Sequence, residues 1–449
     1  MIRGLTTNWK QVVGYYLTGN STNGDVLWHL LKQITVDRST VHINVCAVVS
    51  DMGSSNRAMW CAAGIVTCKE HVENSVKHPL LSNQLLFFLP DVPHVLKNAR
   101  NCLRSHDILL PPDIVNQYSW PGPIVSIAHV QGLVDLKESS ELKIAPALCQ
   151  KHVEPKQFEK MKVSFAAQLF SHSVSSALQF CVSVNLLPVG ALTTSWFLEF
   201  VNQWFDVANV RTKLQALHPN SVAKVEILKL MLSLAANLRF RSHVHSSVSS
   251  TWKPIQTSLM MACKSLLDMQ DHFVQCAYYR FLLTSRLTQD ALENLFSQIR
   301  GRGDSHPTPV KFRHNLRLFS ISQFTKTPKN SSYESADVRF AVPLLCSKSR
   351  SDDCRDACEF VEANVEILCC DETNPVATVC ESNALAYLAG WVAFKLKSKL
   401  QCSECFDWLV QRGSCDLSSV TDASQLQLTL FKSYGGFDYG LTLPSQNLC

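Results

Sequence analysis

Long apolar runs are missing from this sequence. Its most apolar part, between Val174 and Phe205, is broken by Gln179, Asn185, Pro188, Gly190 and the Thr193-Thr194-Ser195 cluster. No segment therefore has the roughly 20 consecutive apolar residues that a membrane-spanning helix needs. The first ten residues, MIRGLTTNWK, carry no apolar stretch of the export-signal kind. An excess of one charge is missing too: 42 Lys and Arg stand against 37 Asp and Glu, a net charge of +5. That balance is compatible with a nucleic-acid partner without arguing for one. The phosphate-cradling motif GxxxxGK[ST] does not occur, which counts against a P-loop GTPase. Cys402-Ser403-Glu404-Cys405 has CxxC spacing, with Cys415 nearby and Cys354 and Cys358 upstream, but no second CxxC or HxxxH pair completes a zinc set. The 18 cysteines are scattered and read as reduced, buried thiols of an intracellular protein with no membrane association.

What is present is a globular composition, 46% hydrophobic and 18% charged, in a chain of 449 residues, enough for two or three cores. The first hundred residues alternate in the α/β manner. Val12–Leu17 reads as a strand. Asp25–Ile34 reads as a helix with Asn23 and Asp25 supplying cap chemistry. His42–Val49 and Leu85–Leu89 are continuous β-rich apolar runs, the mark of strands buried on both faces. Val92–Arg104 reads as a helix that Asp91 is placed to cap. Beyond a Pro-rich stretch at Pro111, Pro112, Pro121 and Pro123 the pattern turns helical. Phe165–Leu178, Ser195–Val210 and Val222–Leu238 carry apolar residues at i, i+3, i+4 spacing. Leu287–Arg300 is another amphipathic helix with Thr288 as its expected N-cap, and residues 300–309 form a loop. Residues 326–337 and 348–356 read as irregular, and Asn383–Leu400 as the strongest late helix.

Two carboxylates draw attention. Asp51 stands at the C-terminal tip of a strand, where ligands of open α/β sheets gather. Glu293 lies on a helix far downstream, in LTQDALENLFSQIR. Acids supplied this way suit Mg2+, which favours oxygen ligands, and a pair of ions about 3.5–4 Å apart supports displacement at phosphorus. Each acid alone has a bland reading: a strand-end Asp caps the next helix, and a helix Glu is solvated.

Seven blocks in order resemble one family. WKQVVGYYL, VVSDMGSSNRAMW, FFLPDVPHVLKNARNCL, KMKVSFAAQLFSHSVSSAL, FVNQWFDVANVR, LTQDALENLFSQIRGRG and YLAGWVAFKL are similar to successive parts of P-element transposases and their THAP-domain relatives, from about Asn8 to Cys405. The resemblance implies an α/β ribonuclease H-like core interrupted by a large, mainly α-helical insertion domain, with a helical C-terminal part. Its expected segments are 1–106 and 287–325 for the core, 107–286 for the insertion and 326–449 for the C-terminal region. Asp51 and Glu293 match the second and third metal-binding acids, and the first strand with its acid is expected to be missing, which makes the core incomplete. Asp91 follows the second acid and reads as structural.

The family binds GTP in the insertion, and the blocks place Lys162, Val163, Ser171, Phe205, Asp206, Asn209 and Asp290 on its contacts. An Asp can accept from the guanine N1–H and N2–H2 edge, a Lys can neutralise phosphate, and a Phe can stack. Against this, Lys162 reads as a surface charge, Ser171 as bonded to its own helix, and Asp206 as a cap. Arg286, Arg300, Arg302, Lys311, Arg313 and Arg317 outnumber Asp290, Glu293 and Asp304, a basic zone of the kind that suits a phosphodiester, though alone it reads as solvated surface. Arg302-Gly303-Asp304 is no adhesion motif. The expectation is a transposase-like core for DNA cleavage and strand transfer with Mg2+ and GTP, incomplete or inactive in this form, homo-oligomeric and nuclear. The alternative is a domesticated, non-catalytic scaffold that binds DNA, protein or guanine nucleotide.

Overall fold

The computed structural model describes residues 1–18, 22–138, 143–243, 248–249, 251–277, 279–301, 306–325, 339–340, 375–397 and 423–432. They fall into two compact units, Tyr16–Gln289 with Val379–Cys449, and Met1–Tyr15 with Asp290–Thr378.

The larger unit begins with the helix Gly24–Ser39, whose Asn23 N-cap accepts a hydrogen bond from the Asp25 amide. Its core sheet has Leu85–Pro90 in the middle, parallel to Ala47–Ser50 on one side and antiparallel to Ser75–Lys77 on the other. Leu86 and Phe88 pack with Met59, Trp60, Ile65 and Met261. Phe87, pointing the other way, meets Phe273 edge-on at 6.1 Å between ring centroids. Burial on both faces is what its unbroken apolar run predicts. The run His42–Val49 behaves differently: only Ala47–Ser50 is strand, half-buried apart from Ser50, because among the described residues it is paired along one edge alone. The helix Ser54–Ala62 crosses the first helix so closely that a Cβ on Gly24 would lie 2.4 Å from the Ala58 carbonyl oxygen. The helix Val92–Ser105 is capped by Asp91, as expected. Ser265 of the helix Pro254–Met269 donates to the Phe88 carbonyl at 2.7 Å, which ties that helix to the sheet.

The insertion is not purely helical. His106–Leu109 pairs with Arg239–Ser242 and with Ile124–Val125 in a small antiparallel sheet. Its Asp107 carboxylate is buried against the Arg241 guanidinium at 2.6 Å and His243 at 3.1 Å. Burial would push that carboxyl up, but hydrogen bonds from Ser126, Arg241 and His243 hold it below its ordinary range. The expected helix Phe165–Leu178 is two helices, Val163–Leu169 and His172–Ser183. Phe170 leaves the helical region at ψ 64°, and Ser171 starts the second helix by accepting from the Val174 amide. Ala191–Ala208 and Val222–Asn237 match the two helices expected next. The late helix runs Pro375–Lys397, and a further one, Ala423–Lys432, packs along His172–Ser183, with Ser176 donating to the Phe431 carbonyl at 2.9 Å.

In the smaller unit Ile2–Arg3 and Trp9–Gln11 form a hairpin, and Arg339–Phe340 runs parallel to its second strand. The expected strand Val12–Leu17 is thus shifted: pairing ends at Gln11, and 12–17 is irregular. Helices Asp290–Arg300 and Pro309–Thr325 meet through Leu295, Ile299, Leu316 and Phe319. Thr288 does not cap the first of these. Its hydroxyl donates to Ser285 at the end of a 3-10 turn, and the helix begins two residues later.

Among the described residues no helix is long and apolar enough to cross a membrane. The described cysteines are all free but not all buried. Cys181, Cys263 and Cys380 are buried, whereas Cys61, Cys68, Cys149 and Cys276 are exposed, which corrects the reading of uniformly buried thiols. Cys354, Cys358, Cys402, Cys405 and Cys415, the irregular stretches 326–337 and 348–356, and Arg302 to Asp304 lie outside the described residues.

Candidate metal centre and nucleotide face

Parallel pairing brings two acids to neighbouring strand ends. Ser50 is in register with Pro90, and the Asp91 amide donates to the Ser50 carbonyl at 2.9 Å, so Asp51 and Asp91 leave the sheet side by side. Their surroundings differ sharply. Asp91 is 2% exposed. Its Oδ2 accepts from the His94 amide and meets His94 Nδ1 at 2.5 Å, and its Oδ1 accepts from the Gln289 amide at 2.6 Å. Both oxygens are taken by the protein, so Asp91 is structural, a cap with a second duty on a distant backbone.

Asp51 is half-buried. Its Oδ1 accepts from the Gly53 amide at 2.9 Å and from Asn56 Nδ2 at 2.8 Å, while Oδ2 accepts from no described residue. This is a turn-forming Asp that has kept one oxygen available. Gly53 completes the arrangement, since a Cβ there would stand 2.9 Å from Oδ1. Glu293 lies in the first turn of its helix, exposed, and accepts no hydrogen bond from a described residue. The positive end of the helix dipole favours an acid there. Asp51 lies in the larger unit and Glu293 in the smaller. Among the described residues no three His, Cys, Asp or Glu side chains gather into a group able to hold a metal ion.

Most of the expected nucleotide contacts fall in the insertion. Phe205, Asp206 and Asn209 occupy the last turn of Ala191–Ala208 and its cap. Asn209 Oδ1 is buried with no hydrogen-bond partner among the described residues, an acceptor that a ligand donor would satisfy. Partial burial, and then the charge of Glu199, raise the Asp206 carboxyl above its ordinary pKa, although its side chain reaches the surface. The helices His172–Ser183 and Ala191–Ala208 run antiparallel, linked by His172 to Glu199 at 2.9 Å and Ser175 to Ser195 at 2.9 Å. Ser171 therefore lies toward the Asp206 end. Lys162 precedes the Val163–Leu169 helix, with Nζ 5.3 Å from the Phe165 ring centroid.

Sequence reading missed the residue that positions this turn. Arg100, fully buried, donates to the Lys160 carbonyl at 2.5 Å and to the Lys162 carbonyl at 3.4 Å. Nothing local singled it out, because the same helix also carries His94, Lys97, Asn98, Asn101 and Arg104. Asp290 opens the Glu293 helix in the smaller unit, apart from the other nucleotide contacts in the division of the chain.

Comparison with known proteins assigns the class. Residues 1–64 match the family described as TNP-like, RNase H N-terminal domain, residues 93–220 the TNP-like, GTP-binding insertion domain, and residues 376–449 the DNA transposase THAP9, C-terminal domain. The chain is a relative of the P-element-type transposases, with an RNase H-like domain and a GTP-binding insertion. More particularly, it is 26% identical over 325 residues to Transposable element P transposase of Drosophila melanogaster, covering 72% of this chain and 40% of that protein. It is 25% identical over 487 aligned positions to DNA transposase THAP9 of Homo sapiens, covering 100% of this chain and 49% of that protein. The chain thus spans less than half the length of either. The solved Drosophila P element transposase strand transfer complex is similar at a TM-score of 0.60 and 25% identity, over 72% of this chain and 70% of that one.

Proposed function

We propose that this chain is a transposase core acting on DNA, with Asp51 and Glu293 as ligands for Mg2+ in cleavage and strand transfer. The observation that carries the reading is the split behaviour of the Asp51 carboxylate. One oxygen is locked by Gly53 and Asn56, and the other is left without a partner among the described residues at a parallel strand end. Its neighbour Asp91, at the same level of the sheet, is fully consumed by the fold. Bound Mg2+ would activate the attacking oxygen and stabilise the leaving one. The protein's own part is to fix the Asp51 carboxyl plane and to present Glu293 from a helix start. Membership of a DNA transposase family supports a DNA substrate and a nuclear site of action.

The insertion is proposed to hold GTP through Lys162, Val163, Ser171, Phe205, Asp206 and Asn209, with Asp290 as a further contact. Asp206 would read the guanine edge, the Asn209 orphan acceptor would find a donor, and Lys162 would meet phosphate. The nucleotide would organise a homo-oligomeric assembly without being hydrolysed.

Plasmid nicking in Mn2+ or Mg2+ tests the metal reading. Asp51→Asn keeps the oxygen that accepts from Gly53 and turns the outward oxygen into an amide nitrogen that cannot ligate. Metal-dependent nicking should therefore disappear, and efficient nicking that survives in Asp51→Asn overturns the assignment. The buried Asn209 acceptor, without a partner among the described residues, equally suits a second reading, a non-catalytic scaffold for DNA or guanine nucleotide. It is supported if the unaltered chain binds DNA or GTP and never nicks.

A further inference from the structure

The smaller unit contains a cavity of about 520 Å³ that none of the expected metal ligands or GTP contacts lines. One wall is the chain at positions 11–15, the stretch where a strand was expected and pairing stops. The other is one face of the Pro309–Thr325 helix, from which Arg313 and Arg317 enter, one turn apart, with Leu316 as the apolar floor. Both arginines are exposed, and neither makes an ion pair or hydrogen bond with a described residue. Two like charges at i, i+4 repel by a few tenths of a kcal/mol unless an anion lies across them.

The opposite wall is suited to an anion. The Val12, Val13, Gly14 and Tyr15 amides donate to no described residue, and Gly14 brings the backbone up without a side chain. Tyr15 is 42% exposed, its ring held edge-on against Phe312 at 5.7 Å between centroids. The volume lies in the range of sites for whole organic ligands, roughly 300–1,000 Å³, and exceeds what a lone phosphate fills.

We propose that this cavity takes a short stretch of a nucleic-acid strand, with Arg313 and Arg317 on its phosphates and Tyr15 stacked against a base. The inference rests on the DNA-substrate reading above, but not on Asp51 or Glu293, and so is tested without metal. Anisotropy of a fluorescein-labelled single-stranded DNA is followed with the full chain in EDTA over a series of KCl concentrations. Each neutralised phosphate contributes about 0.7 to the slope of log K against log salt for single strands. The double variant Arg313→Gln/Arg317→Gln should bind more weakly with a slope shallower by about 1.4. Tyr15→Ala should weaken binding about tenfold at unchanged slope, as loss of one base stack does. Lys69→Gln/Lys77→Gln, which removes two exposed charges from the larger unit, should leave the slope as it was.

An unchanged slope in the arginine double variant, or an equal fall in the lysine control, overturns this inference while leaving the DNA reading standing. An unaltered chain that binds no DNA overturns both. Excess GTP that competes with DNA in the unaltered chain, with the competition lost in the arginine variant, would assign the cavity to a free nucleotide and overturn it as well.

Discussion

Two aspartates at adjacent strand ends show how the same side chain acquires opposite roles. Asp91 is buried, with both oxygens taken by amides and a histidine, so its removal leaves the His94 and Gln289 amides unsatisfied. Asp91→Ala should cost about 2–4 kcal/mol, the sum of a lost helix cap and a lost charge-assisted hydrogen bond. Asp51→Asn keeps its turn and should shift stability by no more than about 0.5 kcal/mol. Urea unfolding of both variants checks the pair, and equal losses would show that Asp51 is as structural as its neighbour. The sequence made both positions visible as strand-end acids, and Asp91 was readable as a cap from the Pro93 that follows it. Its bond to Gln289 was not readable, because nothing local signals a partner nearly two hundred positions away. Arg100 escaped notice for the same reason: its value lies in two carbonyls of a turn far along the chain.

Elements were legible in proportion to how completely local chemistry determines them. Leu85–Pro90 and Gly24–Ser39 follow from an apolar run and an Asn cap. The break at Phe170 and Ser171 was hidden, since apolar spacing continues across it and only the Ser171 cap marks the restart. The small sheet of the insertion was hidden because its strands are only two to four residues long and break their apolar positions, Ile108, Val125 and Phe240, with charges such as Asp107 and Arg241.

The Ala423–Lys432 helix supplies a test at this scale. Its last residue, Lys432, donates to the Ile144 carbonyl at 2.9 Å and lies over the Tyr387 ring, and burial lowers its pKa to about 8. The unfolded chain keeps that proton up to the ordinary lysine range, so between about pH 8 and 10.5 it binds more protons than the folded one. Stability should therefore rise with pH across that window. Lys432→Met should flatten the rise in denaturant titrations at pH 7.5, 9 and 10, and an identical pH dependence in the variant would show that the docked lysine carries none of it.

At the scale of the whole molecule the proposed nucleotide should act as a stabiliser, because it binds the folded chain alone. GTP at a hundred times its Kd should add about 2.7 kcal/mol to unfolding. Asp206→Asn should reduce the preference for GTP over ATP by about tenfold or more, the value of a hydrogen bond to a charged acceptor. Since burial, and then Glu199, raise the Asp206 pKa, GTP affinity should fall as the pH drops through that raised value, earlier than for an ordinary carboxylate. Calorimetric titration from pH 7 to 4 measures this, and a profile unchanged by Asp206→Asn removes Asp206 from the guanine edge.

The register that sets Asp51 beside Asp91 also leaves a record of selection. A lineage that abandons the chemistry must still fold, so position 91 stays constrained while position 51 is released to drift. Related genes that keep an acid at 91 and vary freely at 51 would mark copies retained for something other than cutting DNA.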